Sequence, residues 1–106
     1  MSVPAIATRL PLPVLVEFCQ RHKIARLEAF GSVLRDDFGP ESDVDLLYVK
    51  DPSEPWSLFD KMDAQDELET LLHRKVDFVS RRAIEGSRNW VLRKAILEHS
   101  QVLYGA

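Results

Sequence analysis

The chain has 106 residues, 45% of them hydrophobic and 29% charged, with a formal net charge of −3 at pH 7. That length fits one core and leaves no room for a second, substrate-holding domain, and the acidic balance argues against a general nucleic-acid binder, whose footprint is a strongly basic face. Cys19 is the only cysteine, which excludes an internal disulfide and a paired-cysteine metal site.

Residues 1–12 carry neither the basic region nor the apolar run of a secretory leader and are expected to form a flexible lead. No stretch approaches membrane-spanning length, so a cytoplasmic location without a membrane partner is expected. Pro11 and Pro13 suit a first helical turn, where the missing N–H costs nothing. Leu15, Phe18 and Cys19 recur at helical spacing, which predicts an amphipathic helix over 13–21. Cys19 reads as a core residue rather than a nucleophile. His22 falls at the helix's C-terminal end, where a cation is favoured.

Ile24 to Phe30 reads as a strand that delivers the chain to Gly31-Ser32. A short helix is expected over Val33 to Asp37, broken by Phe38-Gly39-Pro40. Val44 to Val49 forms a second strand, apolar enough after Asp45 to be buried on both faces. Asp51 to Pro55 is a loop with two prolines. From Trp56 a helix is expected, apolar at Leu58, Phe59, Met62, Leu68, Leu71 and Leu72, with Asp63, Asp66, Glu67 and Glu69 as an ordinary solvated face. His73 and Arg74 close it and suit its dipole.

Lys75 to Val79 is a third short strand, with Val76 and Phe78 on one side and Asp77 on the other. Ala83 to Glu98 is helical, divided near Gly86-Ser87, with Val91, Leu92, Ala95 and Ile96 on its apolar side. Gln101 to Tyr104 ends the fold as a small strand or docked tail. Strands alternating with helices predict a small α/β domain, a single unit over residues 1–106.

The chemistry concentrates between Phe30 and Val49. In an extended strand successive side chains alternate faces, so Asp43 and Asp45 share one. Two carboxylates that close repel unless a cation lies between them. Hard oxygen ligands of this kind suit Mg²⁺, which leaves its other positions to water and substrate phosphate. Gly31 lets the backbone approach a ligand closely, and Ser32 with the free N–H groups after it can bind an anionic phosphate.

Gly31-Ser32, then Val33 to Ser42, then Asp43-x-Asp45 resembles the signature of the DNA polymerase beta-like nucleotidyltransferase superfamily. The local text is similar to its minimal nucleotidyltransferase family, matching at Phe30, Gly31, Ser32, Arg35, Ser42, Asp43, Asp45, Leu46, Leu47 and Val49. Leu34 and Asp36 depart from it, where many relatives have small residues after the serine and a glycine after the arginine. The likeness runs from about Ile24 to Tyr104, and residues 30 to 49 are its specific part.

This resemblance implies a polymerase-beta-like nucleotidyltransferase fold, a short mixed sheet of three to four strands flanked by helices. It implies a third acid from the strand beside Asp-x-Asp, the position of Asp77, and Asp77 has the matching parity. Two Mg²⁺ ions would then lie among Asp43, Asp45 and Asp77, with Gly31, Ser32, Arg35 and Ser42 binding the nucleotide, ATP. Asp77 would accept the proton of the attacking hydroxyl. Arg35 would steady the departing pyrophosphate, or pair with Asp36 or Asp37.

Small members of this kind resemble the antitoxins of HEPN/MNT toxin–antitoxin systems, which adenylylate a tyrosine of a helical HEPN ribonuclease encoded nearby. The resemblance therefore implies a protein adenylyltransferase acting on such a toxin. Two alternatives stay open: an antitoxin that neutralises by contact alone, and a small-molecule nucleotidyltransferase whose pocket forms between chains of a homodimer. Trp56, Phe59 and Trp90 are candidates for a partner surface, and Arg81, Arg82, Arg88, Arg93 and Lys94 form the one locally positive region.

Overall fold

The computed structural model describes residues 9–105, so residues 1–8 of the expected lead lie outside the described residues. The rest of that lead is anchored: Leu10 is buried, and the Arg9 guanidinium donates to the backbone carbonyls of Val33 (2.8 Å) and Arg35 (2.5 Å). Helix α1 (Leu12–Arg21) follows, with a proline in its first turn, and buries Leu15, Phe18 and Cys19. Burial pushes the Cys19 thiol up to about 12, which makes it inert at neutral pH.

A tight turn through Lys23 (φ 56°) leads into strand β1 (Ile24–Phe30). Next come a single 3₁₀ turn (Gly31–Leu34), strand β2 (Val44–Lys50), helix α2 (Leu58–Leu72), strand β3 (Val76–Ser80), helices α3 (Arg81–Glu85) and α4 (Trp90–Leu97), and strand β4 (Gln101–Tyr104). The four strands form one mixed sheet in the order β3-β2-β1-β4. The β2 and β3 pair is parallel, and β1 is antiparallel to both β2 and β4.

Period-two alternation sorts the strand residues onto two faces. Leu27 and Ala29, Leu46 and Tyr48, and Val76 and Phe78 join Leu15, Phe18 and Cys19 of α1 and Ala64, Leu68 and Leu72 of α2 in one apolar cluster. The opposite face carries Glu28 and Phe30, Asp45 and Leu47, and Asp77 and Val79. Leu47 is fully buried there, so β2 is covered on both faces as its apolar run predicts.

Several local expectations are corrected. The helix expected over Val33 to Asp37 is instead one 3₁₀ turn. The turn ends at Arg35, whose backbone is extended (φ −100°, ψ 159°), and Arg9 donates to the Val33 carbonyl within it. In α2 the apolar stripe holds only from its middle onward. Ala64, Leu68 and Leu72 are buried, whereas Leu58, Phe59 and Met62 are exposed. A capping box between Ser57 and Asp60 supports the N-terminal turns in place of packing.

The acidic side of α2 is not simply solvated. Glu67 holds Arg21 (2.6 Å) and His22 (3.2 Å), and Glu69 accepts the Val76 N–H at 2.8 Å, fixing the start of β3. His73 closes α2 in the left-handed conformation (φ 53°). Arg74 does not serve the dipole: it donates to the carbonyls of Gly39 (2.7 Å) and Ser42 (2.9 Å) and lies over the Phe38 ring. Helix α4 buries no residue, and Val91 and Leu92, expected on a core-facing side, are exposed with Trp90. Trp56 is half-buried, edge-on to Tyr48 and Phe78, so of the aromatic surface candidates only Phe59 and Trp90 stand free. Among the described residues no helix is long and apolar enough to cross a membrane.

Candidate active site

The candidate site lies at one end of the sheet, where β1 ends and β2 and β3 begin. The register sets Phe30 opposite Asp45, and Asp45 opposite Asp77 on the parallel neighbour. Two carboxylates on adjacent strands and one face repel when both are ionised. Asp45 shows the effect: partial burial raises its pKa, and the charge of Asp77, a hydrogen bond with it and the charge of Asp43 raise it further, against a lowering hydrogen bond from the Ser32 N–H. Asp43 and Asp77 are exposed and Asp45 is half-buried.

Gly31 makes the approach of the turn to Asp45 feasible. It adopts φ +72°, a conformation L side chains rarely take. Its backbone lies against the Asp45 carboxylate with no room for a Cβ. The Ser32 hydroxyl donates to the Asp43 carbonyl at 3.0 Å, so one residue touches both members of the Asp-x-Asp pair, one through its N–H and one through its hydroxyl.

The loop between turn and strand is latched internally. The Ser42 hydroxyl accepts the Gly39 N–H at 3.0 Å, and Arg74 grips both ends of that segment from beneath. Ser42 is therefore a loop-shaping residue in this structure. Arg35 is exposed and pairs with Asp37 at 3.3 Å, one of the arrangements its sequence allows.

Among the described residues, no group of three or more His, Cys, Asp or Glu side chains forms a ready metal cluster. Asp45 and Asp77 are drawn together, and Asp43 points to solvent beside them. The donor set still fits a hard divalent cation. It consists of carboxylate oxygens alone, and its repulsion is uncompensated by any cationic side chain, since no lysine, arginine or histidine figures among the influences on Asp45.

Sequence reasoning missed Glu28, the one buried charged residue among the described residues. It receives hydrogen bonds from Arg81 and from Ser100 (3.0 Å) and pairs with Arg26 at 3.3 Å. Burial alone would raise its pKa, but the bonds from Arg81 and Ser100 and the charges of Arg81 and Arg26 outweigh burial and hold it below the usual carboxylate range. Arg81 is thereby withdrawn from the positive surface region to which its sequence assigns it. The available signal was parity: Arg26, Glu28 and Phe30 alternate with apolar residues and share the face of Asp45.

Comparison with known proteins bears on the fold and the family. A family model described as a nucleotidyltransferase domain matches residues 14–103. A protein of Methanocaldococcus jannaschii named as a putative protein adenylyltransferase is 32% identical over 82 residues, 77% of this chain and 79% of its own. A solved structure described as a putative minimal nucleotidyltransferase superposes with a TM-score of 0.66 at 30% identity, covering 92% of this chain and 94% of that one. A crystal structure of a toxin–antitoxin with AMP-PNP superposes with a TM-score of 0.72 at 19% identity, covering 92% and 75% respectively, a likeness of fold.

Proposed function

The chain belongs to the nucleotidyltransferase domain family, and from that premise we propose that it transfers AMP from ATP to a tyrosine hydroxyl of a separately encoded HEPN-type toxin, as that toxin's antitoxin. The observation that carries the proposal is the pair Asp45 and Asp77, opposed on parallel strands beside Gly31-Ser32. A nucleotide phosphate and an acceptor hydroxyl can meet there. The name of the Methanocaldococcus jannaschii relative supports a protein acceptor, and the AMP-PNP of the toxin–antitoxin structure supports an adenine nucleotide and a toxin partner.

Asp43, Asp45 and Asp77 would hold Mg²⁺, which when bound neutralises phosphate charge and lowers the pKa of the acceptor hydroxyl. The chain's own groups do the rest. The backbone at Gly31 and the N–H and hydroxyl of Ser32 hold phosphate oxygens, which they reach because no side chain intervenes at Gly31. Asp77, exposed on β3, takes the tyrosine proton on a carboxylate oxygen. The phenolic oxygen forms a bond to the α-phosphorus, the bond from that phosphorus to the bridging oxygen breaks, and pyrophosphate leaves with the electron pair. Arg35, paired with Asp37 in this structure, would exchange that partner for the departing pyrophosphate.

Neutralisation by contact is the second reading, favoured by the exposed apolar residues Trp90, Val91 and Leu92 beside the basic Arg88 and Lys94. A small-molecule acceptor is a third. Co-expression with the product of the adjacent reading frame and intact-mass analysis separates them. A mass increment of one or more AMP units on the partner, lost in Asp43→Asn, is the expected result. A tight complex without an increment under Mg²⁺ and ATP leaves contact alone, and no complex leaves the small-molecule reading.

A further inference from the structure

Strands β2 and β3 run parallel and are joined through α2, with Asp45 and Asp77 paired near their amino ends and Tyr48 and Ser80 paired near their carboxyl ends. In open α/β sheets the crevice outside the carboxyl ends of parallel strands is the usual place for a ligand. A cavity of about 300 Å³ lies there. Its walls are the strand ends, from Tyr48 to Lys50 and at Ser80, the loop that follows β2 as far as Trp56, and Arg82 of α3. Asp45 and Tyr48 are three residues apart, about 10 Å along the strand, and their side chains leave opposite faces. No residue of the candidate active site lines this cavity.

The lining divides into an apolar part and a cationic part. Trp56 is held edge-on to Tyr48 at 5.4 Å and to Phe78 at 6.2 Å, so its indole is a fixed surface, continued by Pro52 and Pro55. Lys50 places its ammonium 5.0 Å from the Trp56 ring centroid and reaches the Lys23 carbonyl at only 3.4 Å. Arg82 is exposed, and its guanidinium makes no hydrogen bond or ion pair among the described residues. Against these two cations stands one carboxylate, Asp51, whose Oδ1 accepts from the N–H (2.9 Å) and the hydroxyl (2.7 Å) of Ser53. Tyr48, 8% exposed, accepts from the Trp56 indole N–H and the Ser80 hydroxyl, while its own O–H meets no acceptor among the described residues.

We infer that this cavity binds a small organic anion, its apolar body against Trp56, Pro52 and Pro55 and its phosphate or carboxylate between Lys50 and Arg82. The two unlike walls select such a ligand. Covering indole and proline is favourable in proportion to the apolar area removed from water, and a guanidinium without a protein partner takes a phosphate or carboxylate in a charge-assisted pair. The Tyr48 O–H is a further donor to the same group. An inorganic anion would leave the apolar wall uncovered, and a cation would be repelled by Lys50 and Arg82. The volume lies at the lower end of the range of ligand pockets, roughly 300–1,000 Å³, which suits a small molecule. This ligand occupies a place apart from the substrates proposed above, so the site stands whether or not the chain adenylylates a partner.

Nitrogen–proton correlation spectra of the full chain, taken in chelator, test the assignment, because without divalent cation the carboxylates of the active site repel an added anion. The chain has two tryptophans, and Trp90→Phe, at an exposed position, identifies the indole signal of Trp56. That signal is expected to move saturably on titration with phenyl phosphate or, separately, with benzoate, and the tighter of the two names the anionic group. Lys50→Gln and Arg82→Ala are each expected to weaken this binding about tenfold, the loss of one charge-assisted hydrogen bond, and the remaining amide signals report that each variant is folded. Inorganic phosphate, which has no apolar body, and benzyl alcohol, which has no charge, are expected to bind at least tenfold more weakly. No saturable shift with either organic anion overturns the site. Unchanged affinity in both variants overturns it by removing the cations from recognition, and inorganic phosphate bound as tightly as phenyl phosphate overturns it by removing the apolar wall.

Discussion

Gly31 and Asp45 are fitted to each other: a Cβ on Gly31 would overlap Asp45 Oδ2 and lie 3.2 Å from its Cγ. The glycine is thus required twice, by its φ of +72° and by the carboxylate that fills the space a side chain would take. Gly31→Ala is expected to lower stability by about 1–2 kcal/mol, the cost of a left-handed non-glycine residue. It should lower transfer more than a hundredfold, roughly the cost of displacing a catalytic group by 1 Å. Urea unfolding and single-turnover transfer, measured on the same preparation, check the two effects. A variant with near-normal transfer would show that Asp45 can move without consequence.

The raised pKa of Asp45 gives a pH-dependent prediction for the metal-free protein. Its ordinary value is 3.8, and the folded value is higher because of burial and then Asp77. A carboxylate with a raised folded pKa contributes stability that is present below the ordinary value and lost as pH rises through the folded one. At neutral pH the ionised pair therefore opposes folding. Asp45→Asn should stabilise the metal-free protein at pH 7, by something of the order of 0.5 kcal/mol, have less effect near pH 3, and abolish transfer. Thermal melts at the two pH values in chelator provide the test, and a destabilised variant at pH 7 would assign Asp45 a structural role instead.

The same repulsion predicts a requirement for divalent cation. ATP brought to Asp43, Asp45 and Asp77 adds negative charge to negative charge, so titration with ATP in excess chelator should show binding weakened at least tenfold relative to Mg²⁺ or Mn²⁺. Equal affinity with and without metal would remove the carboxylates from the nucleotide site.

Much of this arrangement was legible because it depends on local pattern. The alternation of Val76, Asp77 and Phe78 places Asp77 on the site face without knowledge of its neighbours, and the pairing of Asp45 with Asp77 bears that out. The strand Ile24–Phe30 and the glycine that ends it follow from residue type alone. What escaped depends on contacts distant in sequence. Arg9 binds the Val33 carbonyl of the 3₁₀ turn from 24 residues away, Arg74 latches the Gly39 to Ser42 loop, and Ser100 reaches Glu28 across 72 residues. Periodicity likewise assigns Phe59 and Val91 apolar faces, but it cannot tell that nothing in the described chain covers them.

Glu28 provides the final prediction, since it is the buried charge on which the site face is built. Arg81, immediately after β3, reaches it across β2, and Ser100 reaches it from the entrance to β4, so one carboxylate ties together the whole width of the sheet on the side of Asp45. Removing one partner of a buried ion pair leaves the other desolvated and unpaired, at a cost of roughly 3–5 kcal/mol. Glu28→Ala is expected to lose about 3 kcal/mol at pH 7, near the lower end of that range because Arg81 is partly exposed and keeps its pair with Glu85 at 3.3 Å. Its folded pKa lies below the ordinary 4.5, so the stability it contributes is present above that value and disappears as pH falls through the lower folded one. The gap between wild type and Glu28→Ala should therefore narrow in urea titrations taken below pH 4.5. A double-mutant cycle with Arg81→Ala should return a coupling above about 1 kcal/mol. Additive losses would mean that Arg81 and Glu28 stabilise the sheet independently, and a gap constant with pH would mean that Glu28 acts through packing rather than charge.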